Sequence, residues 1–192
     1  MGMTCEAAAE KEEARKCRFC ANLIEGASLS MVPAFKDVCR EAECIELMNR
    51  SCDKMHECGH HCCGFKGEEN CLPCLQEDCI EKFNETAAEG DKILDSCTVD
   101  DYCEICYTSG LGDEPSVAIG CKHMFHVECL YKILRQKWNG PRITFAFLEC
   151  PKCKKQISAP HCKTLNDEIT NTLELKAIVE SKALVRAEHE GL

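Results

Sequence analysis

The chain has 192 residues, of which 20 are Cys, one Trp, three Tyr and seven Phe, and it carries a net charge of −10. That much Cys and that little aromatic material exclude a fold held by apolar burial alone, and the acidic balance has the wrong sign for affinity built on neutralising phosphates, so no nucleic-acid partner is expected. The apolar runs fall far short of the roughly 20 residues of a membrane span, and no basic start followed by an apolar run marks a signal peptide. We therefore expect a soluble cytoplasmic or nuclear protein in which reduced thiols bind zinc.

Residues 1–16, MGMTCEAAAEKEEARK, are rich in Ala and charge with no apolar stripe, which predicts a disordered or fraying tail. Residues 17–79 hold eleven cysteines with His56, His60 and His61 and few apolar stretches, the mark of a loop-rich zinc-binding region. Cys58-x-His60 followed by Cys71-x2-Cys74 predicts one site, and Cys17, Cys20, Cys39 and Cys44 another. Cys52, His56, His61, Cys62, Cys63 and Cys79 compete for the same metals, so assignment among them stays open. Cys5 and Cys97 lack a paired partner and read as spare thiols. Residues 80–101 carry seven acids against Lys82 and Lys92, predicting an acidic, solvated helical linker.

Residues 102–160 reverse the charge and present eight metal-ligand types in order: Cys103-x2-Cys106-x14-Cys121-x1-His123-x2-His126-x2-Cys129-x20-Cys150-x2-Cys153. Eight ligands suit two four-coordinate zincs, and with every position filled by protein neither keeps the open site that Lewis-acid catalysis needs. Between the sixth and seventh ligands, Leu130, Ile133, Leu134, Lys137 and Trp138 follow helical spacing up to Gly140-Pro141. Ile143, Phe145 and Phe147 then alternate with Thr144, Ala146 and Leu148, which predicts a short strand. In residues 161–192, Leu165, Ile169, Leu173, Ala177 and Leu184 lie near one face of a helix stopped by Gly191. Cys162 has no evident base nearby and is not expected to be a nucleophile.

The ligand order, with two central histidines, resembles the RING finger of the H2 subtype. That resemblance implies a cross-brace: Cys103, Cys106, His126 and Cys129 on one zinc, and Cys121, His123, Cys150 and Cys153 on the other. It also implies E3 ubiquitin ligase activity through a shallow apolar groove that binds a ubiquitin-conjugating enzyme (E2) and its ubiquitin. Carried over residue by residue, the groove comprises Ile105, Pro151 and Trp138, with Lys154 in the place where relatives carry a bridging Arg or Lys. CGHHCCGFKGEENCLPCL from Cys58, DDYCEICYTSG from Asp100, WNGPRITFAF from Trp138 and ALVRAEHEGL from Ala183 together resemble the Pam/Highwire/RPM ligases. The tandem-cysteine relay domain of that family would begin where this sequence stops, so the resemblance assigns no relay cysteine and no catalytic side chain here. The expected fold is a small zinc-stapled α+β protein: a RING-H2 cross-brace domain, a second Cys/His-rich region before it and a C-terminal helix after it, with two zincs in each half. The competing expectation is a non-catalytic zinc-dependent adaptor that only binds proteins.

Overall fold

A computed structural model describes residues 15–88, 97–138, 140 and 142–191, so the expected tail lies almost wholly outside the described residues. In chain order the elements are a 3-10 turn at Pro33–Phe35, helix α1 at Ala42–Arg50, helix α2 at Glu77–Thr86, strands β1 at Ser116–Ala118 and β2 at Met124–His126, helix α3 at Val127–Gln136, a 3-10 turn at Ala146–Leu148, and helix α4 at Lys163–Glu190. The strands pair antiparallel with Val117 opposite Phe125. Gly120, in the loop between them, donates to Ser158 O at 2.7 Å, and any Cβ there would collide with the Ser158 hydroxyl. A side chain there would require the Ser158 hydroxyl to rotate away.

Helix α3 forms because Val127, Leu130 and Leu134 fall at i, i+3 and i+7 and are buried, with the ligand Cys129 among them. It ends at Gln136, short of Trp138: Lys137 takes a positive φ of 56° that breaks the helix, and its N–H donates to Ile133 O at 3.2 Å. Pro141 lies outside the described residues. Helix α4 is about 42 Å long at 1.5 Å per residue. Only Leu165, Ile169 and Thr172 in its first turns are buried, and Leu184 is 66% exposed, so the expected apolar face is used over its first third alone. Gly191 caps the helix at φ 72°, in the left-handed conformation that glycine adopts without a Cβ penalty.

Two readings of the sequence need correction. Residues 143–148 do not form a strand. Phe145, Phe147 and Trp138 collect into one aromatic cluster, with ring centroids 5.9 to 6.5 Å apart, and closing it turns Ala146–Leu148 into a 3-10 turn that buries Leu148. Nor do residues 80–101 merely link two regions. Helix α2 starts earlier, at Glu77, and Ile80 is fully buried; residues 89–96 lie outside the described residues.

The core explains that second difference. A small satellite gathers Phe35 and Val38 around Cys17, Cys39 and Cys44. The main core joins Leu72, Leu75 and Ile80 to Val117, Phe125 and Leu130 and to Leu165 and Ile169 of α4. The first cysteine block from Cys52 onward and the second block therefore share one interior. Backbone bonds cross the junction, Ser116 N–H to Cys63 O at 2.9 Å and Val99 N–H to Leu75 O at 3.1 Å. Arg50 of α1 also pairs with Glu128 of α3 at 3.2 Å.

Candidate metal centres and the knuckle surface

Three Cys-x2-Cys loops share one local geometry. In each, the residue after the second Cys is left-handed, Ala21 at φ 58°, Tyr107 at 55° and Lys154 at 60°. The N–H of that residue donates at 2.9 Å to the carbonyl of the first Cys: Ala21 to Cys17, Tyr107 to Cys103 and Lys154 to Cys150. The turn brings both sulfurs to one side and leaves the two middle residues at its tip. For a side chain with a Cβ this conformation costs roughly 1–2 kcal/mol, which binding a metal at about 10–16 kcal/mol readily offsets.

The turns assemble four sets of four ligands in which all ligand atoms lie within 4.8 Å of one another. Cys103, Cys106, His126 and Cys129 form one, and Cys121, His123, Cys150 and Cys153 another, the interleaved pairing that the RING resemblance implies. Cys17, Cys20, Cys39 and Cys44 form the third. The fourth departs from expectation: it takes Cys58, His60, Cys74 and Cys79, and Cys71 lies instead with Cys52 and Cys62. The reason is conformational. Residues 71–75 run without a turn, so Cys71 and Cys74 diverge, while Cys79 on the first turn of α2 approaches His60 Nδ1 at 3.7 Å. A Cys at the start of an acidic helix, five residues after Cys74, was the available sequence signal for Cys79.

The donor sets fit zinc. Tetrahedral Zn–S near 2.3 Å and Zn–N near 2.0–2.1 Å require S···S edges of about 3.8 Å and S···N edges of about 3.6 Å. Cys20 and Cys39 sulfurs lie 3.7 Å apart. His123 Nδ1 lies 3.3 Å from Cys121 Sγ and 3.5 Å from Cys150 Sγ, and His126 Nδ1 lies 3.6 Å from Cys106 Sγ and 3.8 Å from Cys129 Sγ. With Nδ1 facing the sulfurs, His126 Nε2–H donates to Gly110 O at 2.9 Å, which fixes tautomer and ring orientation. Backbone N–H groups reach the sulfurs as well, Cys39 N–H to Cys17 Sγ at 3.4 Å and His126 N–H to Cys103 Sγ at 3.5 Å.

Protons compete with a metal for these sulfurs. Burial, then the neighbouring Cys153 and Cys150, push the Cys121 thiol up to about 12, and burial pushes Cys74 up to about 12. The hydrogen bond between the Cys103 and Cys129 thiols pulls the first down and pushes the second up. Crowded thiols in this state hold protons that a bound Zn²⁺ would displace.

The remaining predicted residues are partly or fully exposed. Ile105 and Pro151 are half-buried at the tips of their knuckles. The two tips are tied through Glu104 and Lys152, 3.1 Å apart, a link that sequence spacing gave no means of finding. Lys154 is exposed, and Trp138 is half-buried in the stack with Phe145 and Phe147. Cys97 and Cys162 are buried and belong to none of the five cysteine groups, and burial pushes the Cys162 thiol up, as suits an unreactive core residue.

Residues 101–154 match the Ring finger domain family. Over 182 residues the chain is 39% identical to the E3 ubiquitin-protein ligase highwire of Drosophila melanogaster, covering 95% of this chain and 3% of that protein. It is 41% identical over 176 residues to the E3 ubiquitin-protein ligase MYCBP2 of Danio rerio, covering 92% of this chain and 4% of that protein. A RING finger protein, mug145 of Schizosaccharomyces pombe, is 30% identical over 76 residues, 38% of this chain and 22% of its own. The chain thus spans a small fraction of the length of the relatives it matches.

Proposed function

We propose, on the premise that residues 101–154 are a Ring finger domain, that this chain recruits a ubiquitin-charged E2 and promotes transfer of ubiquitin from its thioester. Two large relatives named E3 ubiquitin-protein ligase support the reading. The observation that carries it is the pair of knuckle tips, Ile105 and Pro151, each half-exposed on a turn with both ends at a metal centre and tied by the Glu104–Lys152 pair. Such tips offer apolar surface that loses little conformational freedom on docking. Trp138 adds the free side of its ring, and Lys154 sits beside the docked E2 and its ubiquitin.

In this reading no side chain of residues 101–154 needs to act as acid, base or nucleophile. Zinc would be held by the four RING ligands of each centre and would supply rigidity, since protein fills every coordination position. Rate enhancement comes from positioning, by holding the thioester in an attack-ready arrangement. A scaffold of thiolates requires a reducing compartment, so we place the protein in the cytoplasm or nucleus.

The test is single-turnover discharge of a charged E2 by the zinc-loaded chain. Wild type should accelerate thioester loss, and Ile105→Ala should lower that acceleration about tenfold, as removal of a central interface anchor worth ~1.4 kcal/mol would. If wild type gives no acceleration with any E2 of a panel, the chain is an adaptor and this reading fails.

A further inference from the structure

Beyond the four metal centres, three further cysteines come together. Cys52, Cys62 and Cys71 place their sulfurs within 4.8 Å of one another, with Cys52 and Cys71 3.8 Å apart, the S···S edge of a zinc tetrahedron. Cys52 and Cys62 are buried, 5% and 0% exposed. Gly64 N–H donates to Cys62 Sγ at 3.3 Å, the bond a thiolate accepts in the other centres.

A second, independent feature lies beside them. Glu68 is 8% exposed, and both its carboxylate oxygens are buried without any hydrogen-bond partner. Buried carboxylates are ordinarily hydrogen-bonded or bound to a cation. Glu68 faces the cluster across Gly64: a Cβ built on that glycine would collide with Glu68 Oε2 and lie 3.3 Å from Cys62 Sγ. The carboxylate and the Cys62 sulfur thus flank Gly64, with Glu68 just outside the group of sulfurs that lie within 4.8 Å of one another, so it reaches a metal there by a small side-chain movement.

We propose that Cys52, Cys62 and Cys71 bind a fifth zinc, with the Glu68 carboxylate closing on it as the fourth, oxygen ligand. Three thiolates suit a thiophilic dication, and an oxygen donor completes the tetrahedron. Three thiolates and a carboxylate around Zn²⁺ carry excess negative charge, and a cation stands close by to balance it. Arg18 Nη2 donates to Cys62 O at 3.3 Å, and its Nε is buried without a partner. The site would fasten three parts of the molecule together. Arg18 belongs to the first cysteine knuckle, Cys63 O accepts from β1 of the Ring finger domain, and Cys52 and Cys62 lie in the core shared with α4.

The proposal concerns metal content and does not depend on ubiquitin transfer. Cadmium-113 NMR of the full chain, reconstituted with cadmium, counts sites directly. Five signals are expected, one of them in the range of three sulfurs and one oxygen; four or fewer overturn the proposal. Glu68→Gln should move that one signal and leave the others in place, and a spectrum in which no single signal responds also overturns it. On the zinc-loaded chain, native mass spectrometry should show Cys71→Ser losing one zinc relative to wild type, and an unchanged count sinks the site. Should Cys71→Ser fail to fold, the cadmium spectra of wild type and Glu68→Gln decide alone.

Discussion

Lys154 occupies a left-handed position, φ 60°, because the knuckle that orients Cys150 and Cys153 closes through its N–H. That backbone requirement and the role proposed for its ammonium group separate cleanly by substitution. Glycine accepts this conformation freely, so Lys154→Gly should leave the zinc-loaded fold as stable as wild type or up to about 1 kcal/mol more so, by denaturant titration. It should nevertheless slow E2 discharge severalfold. Lys154→Arg keeps the charge and adds a planar fork able to bridge two acceptors, and discharge should rise. Equal rates for all three would remove Lys154 from the docking surface. At the same scale, the expectation that Cys71 completes the site of Cys58, His60 and Cys74 failed because Cys-x2-Cys spacing carries information only when the intervening backbone turns. Cys17, Cys103 and Cys150 each begin such a turn; Cys71 begins a segment without one.

Helices α3 and α4 were legible because their apolar spacing is local and sustained. Buried Leu130 and Leu134 carry α3, and Leu165 and Ile169 carry the start of α4. What periodicity does not reveal is how far a stripe is used. Leu184 fits the same face as Ile169, yet one is 66% exposed and the other 2%. Ile169→Ala should therefore cost about 2–5 kcal/mol through lost burial and a cavity, while Leu184→Ala should change stability by less than about 0.5 kcal/mol; chemical denaturation of the zinc-saturated chain measures both. Comparable losses at the two positions would mean that the distal half of α4 packs on something in solution. Alternation at 143–148 misled for a related reason. Phe145 and Phe147 can satisfy a strand pattern, but their rings meet Trp138, and aromatic contact outweighs a pattern with no partner strand to pair.

At the scale of the whole molecule, sequence reading divides the chain into two cysteine blocks separated by a linker, since ligand spacing and charge both change near residue 80. Spacing reports which residues lie close along the chain and says nothing of which apolar groups meet across it. Leu75 shows the consequence. It lies in the first block and is 1% exposed; its carbonyl accepts from Val99 N–H, and it shares a core with Phe125 and Leu130 of the Ring finger domain. If the blocks were independent, Leu75→Ala would loosen only the first, and E2 discharge would be insensitive to it. The shared core, against which Ile105 also packs, predicts a loss of about 2–5 kcal/mol felt by both halves. On warming, Leu75→Ala should lose discharge activity at a temperature several degrees below wild type, and zinc from the Cys121, His123, Cys150 and Cys153 centre should be released over the same range. Both are followed on one sample, by thioester loss and by a zinc-sensitive dye. Activity that persists to the wild-type temperature while residues 52–80 become protease-sensitive would show that the Ring finger domain stands without its neighbour.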